Sequence, residues 1–153
     1  MEEKLRYQNY EFSRSYFLAM IEKLDERMMD IQPKGFNNNI RWHIGHVLTI
    51  SESFIFGDLQ NLPANYKELF YTGTKPDDWN RDVTSLQLLI KQLKEQIDRI
   101  NRIPEEQLQN PQDTYKAFGM KTIGELITFT FAHEVFHLGQ IHAMKLLLQR
   151  STQ

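Results

Sequence analysis

The stretch FTFAHEVFHLGQIHAMKLLLQ, residues 129–149, decides how the chain is read. His133 and His137 stand four residues apart, with Glu134 between them and Gln140 one turn further on. At about 100° per residue of α-helix, His137 lies roughly 40° from His133 and Gln140 roughly 20° to the other side. The same stripe passes through Leu126 and Phe129 before them and Met144 and Leu148 after them, so two imidazoles are set into a core-facing strip of a long helix. Two neutral imidazoles one turn apart can hold one divalent cation through ring nitrogens at about 2.0–2.1 Å. Another part of the chain must then supply at least one more ligand.

Outward from that stretch the chain reads as helices joined by connections. Thr122-x-x-Glu125 immediately before it has the form of a capping box. Leu86, Leu89, Ile90, Leu93, Ile97 and Ile100 form one stripe of a helix from about Thr84 to Arg102, which Pro104 stops. Asn37, Asn38 and Asn39 offer a cap for a helix RWHIGHVLTISESFIFG that Gly57 closes. Residues 4–29 carry Tyr7, Tyr10, Phe17, Ile21, Leu24 and Met28 at helical spacing, and IQPKG at 31–35 ends that segment. Residues 58–82 read as a long connection with a short helical turn at YKELF, and residues 103–120 as a second connection rich in Pro, Gln and Asn. Four amphipathic segments without a strand pattern predict an all-α, four-helix bundle, one domain over residues 1–153, with long connections after the second and third helices.

Composition narrows the function classes. With 153 residues, 41% hydrophobic and 25% charged, the chain can bury a real core. A net charge of −2 leaves no basic footprint for nucleic acid or an anionic membrane. No apolar run approaches the ~18–20 residues of a membrane span, and MEEKLRYQNY has no signal-peptide pattern, so a soluble cytoplasmic protein is expected. Zero cysteines exclude a disulfide framework, a thiolate metal site and a cysteine nucleophile.

All five histidines fall in two windows: His43 and His46 on the second long helix, and His133, His137 and His142 on the fourth. His46 shares a stripe with Trp42, Ile50 and Ser53, whereas His43 is about 60° round and reads as a rim residue or as one that backs the ligands. His142 is about 140° past His137 and should face solvent. The candidate ligand set is therefore His46, His133 and His137, against the plainer reading of core histidines satisfied by hydrogen bonds. Glu134, about 60° from His137, is either a proton acceptor beside the site or a surface or dimer-interface glutamate. Gln140 reads as a contact for substrate or for the metal surroundings, or as a buried bundle amide.

His133-Glu134-Val135-Phe136-His137 is a literal HExxH, the zinc-protease pattern with glutamate as general base. The context opposes a protease. No Asp or Glu follows Glu134, and Gly139 and His142 are one place out of register with the longer metzincin motif.

Trp42-x-x-Gly45-His46, Thr122-x-Gly124-Glu125-Leu126 and His133-x-x-x-His137-x-Gly139-Gln140-Ile141 together resemble the DinB-like (YfiT-like) superfamily of small bacterial four-helix-bundle proteins. The resemblance runs from the first helix to about Leu148. It implies a metal held by His46, His133 and His137, with zinc or nickel as the metal. It also implies helices that do not simply alternate up and down, and a homodimer. The activity implied is that of a metal-dependent enzyme acting on a small-molecule substrate, either a transferase of low-molecular-weight thiols such as bacillithiol or a hydrolase. The absence of cysteine suits thiol transfer, since the nucleophilic sulfur would come from outside. The alternative is a non-enzymatic bundle that binds a ligand or partner, with structural or no metal and with Phe70, Tyr71 and Trp79 as a docking surface.

Overall fold

The structure is a computed structural model that describes residues 2–80, 83–112 and 118–151, with side chains described for 7–80, 83–112 and 118–150. Parts of both expected connections, residues 81–82 and 113–117, lie outside the described residues. Among the described residues six α-helices follow in order: α1 (Glu2–Ile21), α2 (Glu26–Met29), α3 (Ile40–Phe56), α4 (Tyr66–Phe70), α5 (Leu86–Asn101) and α6 (Ile123–Ser151). Four are long and form the bundle. Among the described residues there is no strand, only an isolated antiparallel bridge between Pro111 and Thr122.

The helix ends follow the local chemistry. Asn39 caps α3 by accepting from Trp42 N at 2.9 Å, and Gly57 closes it with φ 52°. Ser85 caps α5, accepting from Leu88 N. The capping box of α6 is formed both ways, with Glu125 N donating to Thr122 Oγ1 at 3.2 Å and Thr122 N to Glu125 Oε2 at 3.0 Å. One expectation is corrected: residues 4–29 are two helices. After Ile21 the chain tightens into i→i+3 bonds, and Asp25 accepts from Arg27 N at 3.0 Å to start the short α2. An Asp side chain that satisfies its own downstream backbone competes with helix continuation. The break lets Leu24 and Met29 both turn into the core.

α3 packs against α6 and α5, and α1 packs against the same two helices. The four long helices thus form a ring in the order α1, α5, α3, α6, with α1 opposite α3, so the bundle is not a simple up-and-down meander. α4 covers the remaining side of α3. Every residue of α3 from Ile40 to Ile55 is buried in consequence. Its amphipathic reading is corrected as well: α3 is a central helix enclosed on all sides. The core combines Phe17, Ile21, Ile44, Leu48, Leu89, Leu93 and Met144. Phe70 and Trp79 belong to this covering layer. Phe70 is fully buried, and Trp79 meets it edge-on while donating from Nε1 to Leu69 O.

A buried polar chain ties the four long helices together. Arg14 on α1, 1% exposed, donates from Nε to Glu134 Oε2 on α6 at 2.7 Å. It also donates to Leu93 O and to Gln96 Oε1 on α5. Gln96 Nε2 donates in turn to Glu52 Oε2 on α3 at 2.8 Å. Burial of charges of this kind is tolerated only when they are paired and hydrogen-bonded. The chain fixes how each helix is rotated about its axis, and so where the histidines point.

Candidate metal centre

α3 and α6, the most extensively packed pair, bring the two histidine windows together. His46 Nε2 lies 3.2 Å from His133 Nε2, which lies 3.1 Å from His137 Nε2. One ligand atom from each of His46, His133 and His137 falls within 4.8 Å of the others. A cation about 2.0–2.1 Å from each nitrogen in tetrahedral geometry needs them about 3.3 Å apart. The two separations from His133 fit.

The hydrogen bonds behind the rings favour the same reading. His46 Nδ1 is 2.7 Å from Phe70 O, an atom that can only accept, so Nδ1 carries the proton and Nε2 presents a bare lone pair to the cluster. His43 Nδ1 lies 2.7 Å from His137 Nδ1, and one of the two must donate. With His137 as donor, its Nε2 is also bare. His43 then acts as the outer acceptor that a metal-binding imidazole requires. His133 Nδ1 is buried and has no partner among the described residues. Lone pairs converging at this distance repel one another unless a proton or cation lies between them.

α4 explains why α3 reads Trp42-x-x-Gly45-His46. Trp42 stacks on the His46 ring at 4.4 Å and 13° and anchors its own Nε1 on Thr74 Oγ1. A Cβ on Gly45 would sit 2.4 Å from the Phe70 ring. Only glycine lets α4 come close enough for Phe70 O to reach His46. Gly45→Ala should therefore destabilise the protein by about 1–3 kcal/mol through overpacking, and it should weaken zinc binding by loosening His46. Urea unfolding and a zinc titration read both. A gain of the ~0.5–1 kcal/mol usual for Gly→Ala in a helix would contradict this packing.

Burial holds the cluster neutral. Desolvation pushes His43 and His133 down to about 4 and His137 to about 2, with the neighbouring imidazoles adding to the effect. His46 is lowered by burial and partly restored by Phe70 O. Neutral imidazole is the metal-binding form. In the metal-free protein these depressed values also set a pH dependence. Below pH 6.5 the unfolded chain takes up protons that the folded chain refuses, so stability should fall as pH drops from 6.5 toward 4. A thermal midpoint that stays constant over that window would contradict this environment.

The other candidate residues are placed differently. Glu134 is not brought to the cluster: its carboxylate receives Arg14 Nε and, at 3.2 Å, Ser13 Oγ. Burial pushes the Glu134 carboxyl up while Arg14 and Ser13 pull it down. We take the pair as charged, because guanidinium keeps its proton and Glu134 raises the Arg14 value further. The second position of the HExxH pattern is thus engaged with α1. Gln140 is half-buried one turn past His137, and none of the histidine hydrogen bonds among the described residues involves it. His142 is exposed, as its angle required. His43 lies behind the ligands, one of the two places its angle allowed: it is 3% exposed and contacts His137 directly.

The family model described as the DinB superfamily matches residues 9–141, a span that includes all four of these histidines. The chain belongs to the DinB superfamily. Among solved structures, this DinB-superfamily chain is similar to one described as a conserved protein of Enterococcus faecalis. The two share 16% identity and a TM-score of 0.65, over 95% of this chain and 96% of that one. At that identity the likeness concerns the fold. No curated protein matches the chain.

Proposed function

We propose that this DinB-superfamily chain, as one domain over residues 1–153, is a divalent-metal protein. Its His46, His133 and His137 hold zinc or nickel, and it acts as an enzyme on a small molecule, transferring a low-molecular-weight thiol such as bacillithiol or hydrolysing its substrate. The approach of His133 Nε2 to 3.1–3.2 Å from both His46 Nε2 and His137 Nε2 carries this reading. A cation held by three neutral imidazoles keeps its full charge and open coordination positions, and so supplies Lewis-acid chemistry that acidifies a thiol or a water. The chain's own residues prepare that chemistry. Phe70 O and His43 set the tautomers of His46 and His137, Trp42 shields one face of His46, and Gln140, half-buried one turn past His137, is the substrate contact in this reading. Glu134 is in this reading a positioning residue, orienting α6 through Arg14 rather than moving a proton.

The test is metal analysis of untagged protein, followed by incubation with bacillithiol and monochlorobimane. The reading expects one metal per chain and a conjugation rate that a chelator removes. A stoichiometric metal with no metal-dependent rate counts against the transferase and leaves the hydrolase to be assayed. Equally little metal in wild type and His46→Ala counts against the whole reading and favours the ligand- or partner-binding alternative.

A homodimer in the cytoplasm accompanies the proposal. Phe12 and Tyr16 on α1 and Val135, Phe136 and Leu146 on α6 are large apolar side chains left exposed. Gly139 lies mid-helix among the α6 residues, where a Cβ would meet nothing within 4 Å. A glycine that its own chain does not require is consistent with a close approach by a second copy.

A further inference from the structure

The three candidate ligands are not equally open to solvent. His46 is buried, with Trp42 stacked on its ring and Phe70 O on its Nδ1. His137 is buried and backed by His43. His133 is the half-buried one of the three, so a molecule that reaches the cluster from outside passes beside its ring. What stands there is a run of aromatic rings. Phe129, one turn earlier on α6, lies nearly parallel to the His133 imidazole at 5.9 Å and 19°. Phe118 lies nearly parallel to Phe129 in turn, at 5.6 Å and 26°, and is 65% exposed. Beneath them Ile50, one turn past His46, joins Phe54 and Leu126 in an apolar cluster separate from the main core. Phe129 and Met120 form part of its half-buried rim.

We propose that the substrate of the metal centre carries an aryl group, which packs along Phe129 and against Phe118 while its reacting end lies at the histidines. This names the substrate class for the metal reading above and rests on it. Exposed apolar surface that runs without a break into a buried polar cluster has the composition of a ligand site. Phe118, Phe129, Met120, Ile50, Phe54 and Leu126 are all uncharged, so this surface selects a neutral, apolar body over a phosphate, a sugar or an ammonium group. The ring steps select a flat one, because near-parallel, offset packing at centroid distances of about 4.5–7 Å is an arrangement that aromatic groups favour. Spacing sets the reach. Two ring-to-ring steps separate His133 from Phe118, so a ring joined to the reacting group by a short alkyl linker spans them.

The probes are acetohydroxamate and 4-phenylbutanohydroxamate, which offer the same zinc-binding head without and with an aryl body, titrated into zinc-loaded full-length protein. Calorimetry should show the aryl compound binding at least about tenfold tighter. Proton spectra should show contacts from its ring to Phe129 and Phe118. Phe118→Ser, a change at an exposed position, should reduce the preference about three- to tenfold and leave acetohydroxamate unaffected. Equal affinity of the two compounds in the wild type overturns the inference. So does a preference that survives Phe118→Ser with no contact from the ligand ring to either phenylalanine. Failure of the metal reading looks different: a protein that takes up no zinc, or that holds zinc and binds neither hydroxamate, overturns both.

Discussion

Glu134→Ala is expected to lower the unfolding free energy by about 3–5 kcal/mol. The change strands Arg14, 1% exposed, with a charge whose counter-ion is gone. Its remaining bonds go to the neutral groups Leu93 O, Gln96 and Tyr10. Guanidinium does not escape the penalty by deprotonating at ordinary pH. Arg14→Met should cost a similar amount by leaving the Glu134 carboxylate buried and held only by Ser13. The double variant Arg14→Met, Glu134→Leu should recover most of the loss, because exchanging a whole buried ion pair for apolar side chains is often neutral. Urea unfolding of the three variants forms a double-mutant cycle. A loss below about 1 kcal/mol for Glu134→Ala, or strict additivity in the cycle, would show that the pair does not bind α1 to α6 as described. The carboxylate neighbours His133 in sequence, so the single variant should also loosen the cluster.

His133→Ala should weaken zinc binding at least about a hundredfold while leaving the helical signal intact. A four-ligand zinc site binds with about 10–16 kcal/mol, or roughly 3 kcal/mol per ligand, and that is about two orders of magnitude. His133 is central, since its Nε2 stands within 3.2 Å of both partners. His43→Phe should have a smaller effect, about tenfold, because it removes an outer hydrogen-bond acceptor and not a ligand. Competition titrations against a chelator measure the series. Equal effects for His43→Phe and His133→Ala would mean that the ligand set has been drawn wrongly. A normal affinity for His133→Ala would remove the site.

Much of this arrangement was legible in the sequence because it follows from periodicity and local bonds. The stripe through Leu126, His133, His137, Met144 and Leu148 and the capping box at Thr122 and Glu125 are decided within a few residues of themselves. His46, His133 and His137 could be grouped because each lies on an apolar stripe and the helices carrying them had to pack. What was hidden depends on contacts distant in sequence. Whether His43 lay at the rim or behind the ligands was not decided, because angles on α3 say nothing about α4, which encloses that helix and buries its residues from Ile40 to Ile55. Glu134 was read against His137 alone, whereas its partner Arg14 is 120 residues away. One signal was available. Arg14 falls on the stripe of Tyr10, Phe17 and Ile21, and a charge on an apolar stripe needs a counter-charge. The break before α2 went unseen because Leu24 and Met28 continue the helical spacing even though Asp25 interrupts the backbone.

The most direct test of the account is X-ray absorption at the metal edge of untagged protein loaded with one equivalent of zinc. The account predicts three imidazole nitrogens at about 2.0–2.1 Å, falling to two in His133→Ala. A spectrum with fewer than two imidazoles in the wild type, or one unchanged by His133→Ala, would contradict it.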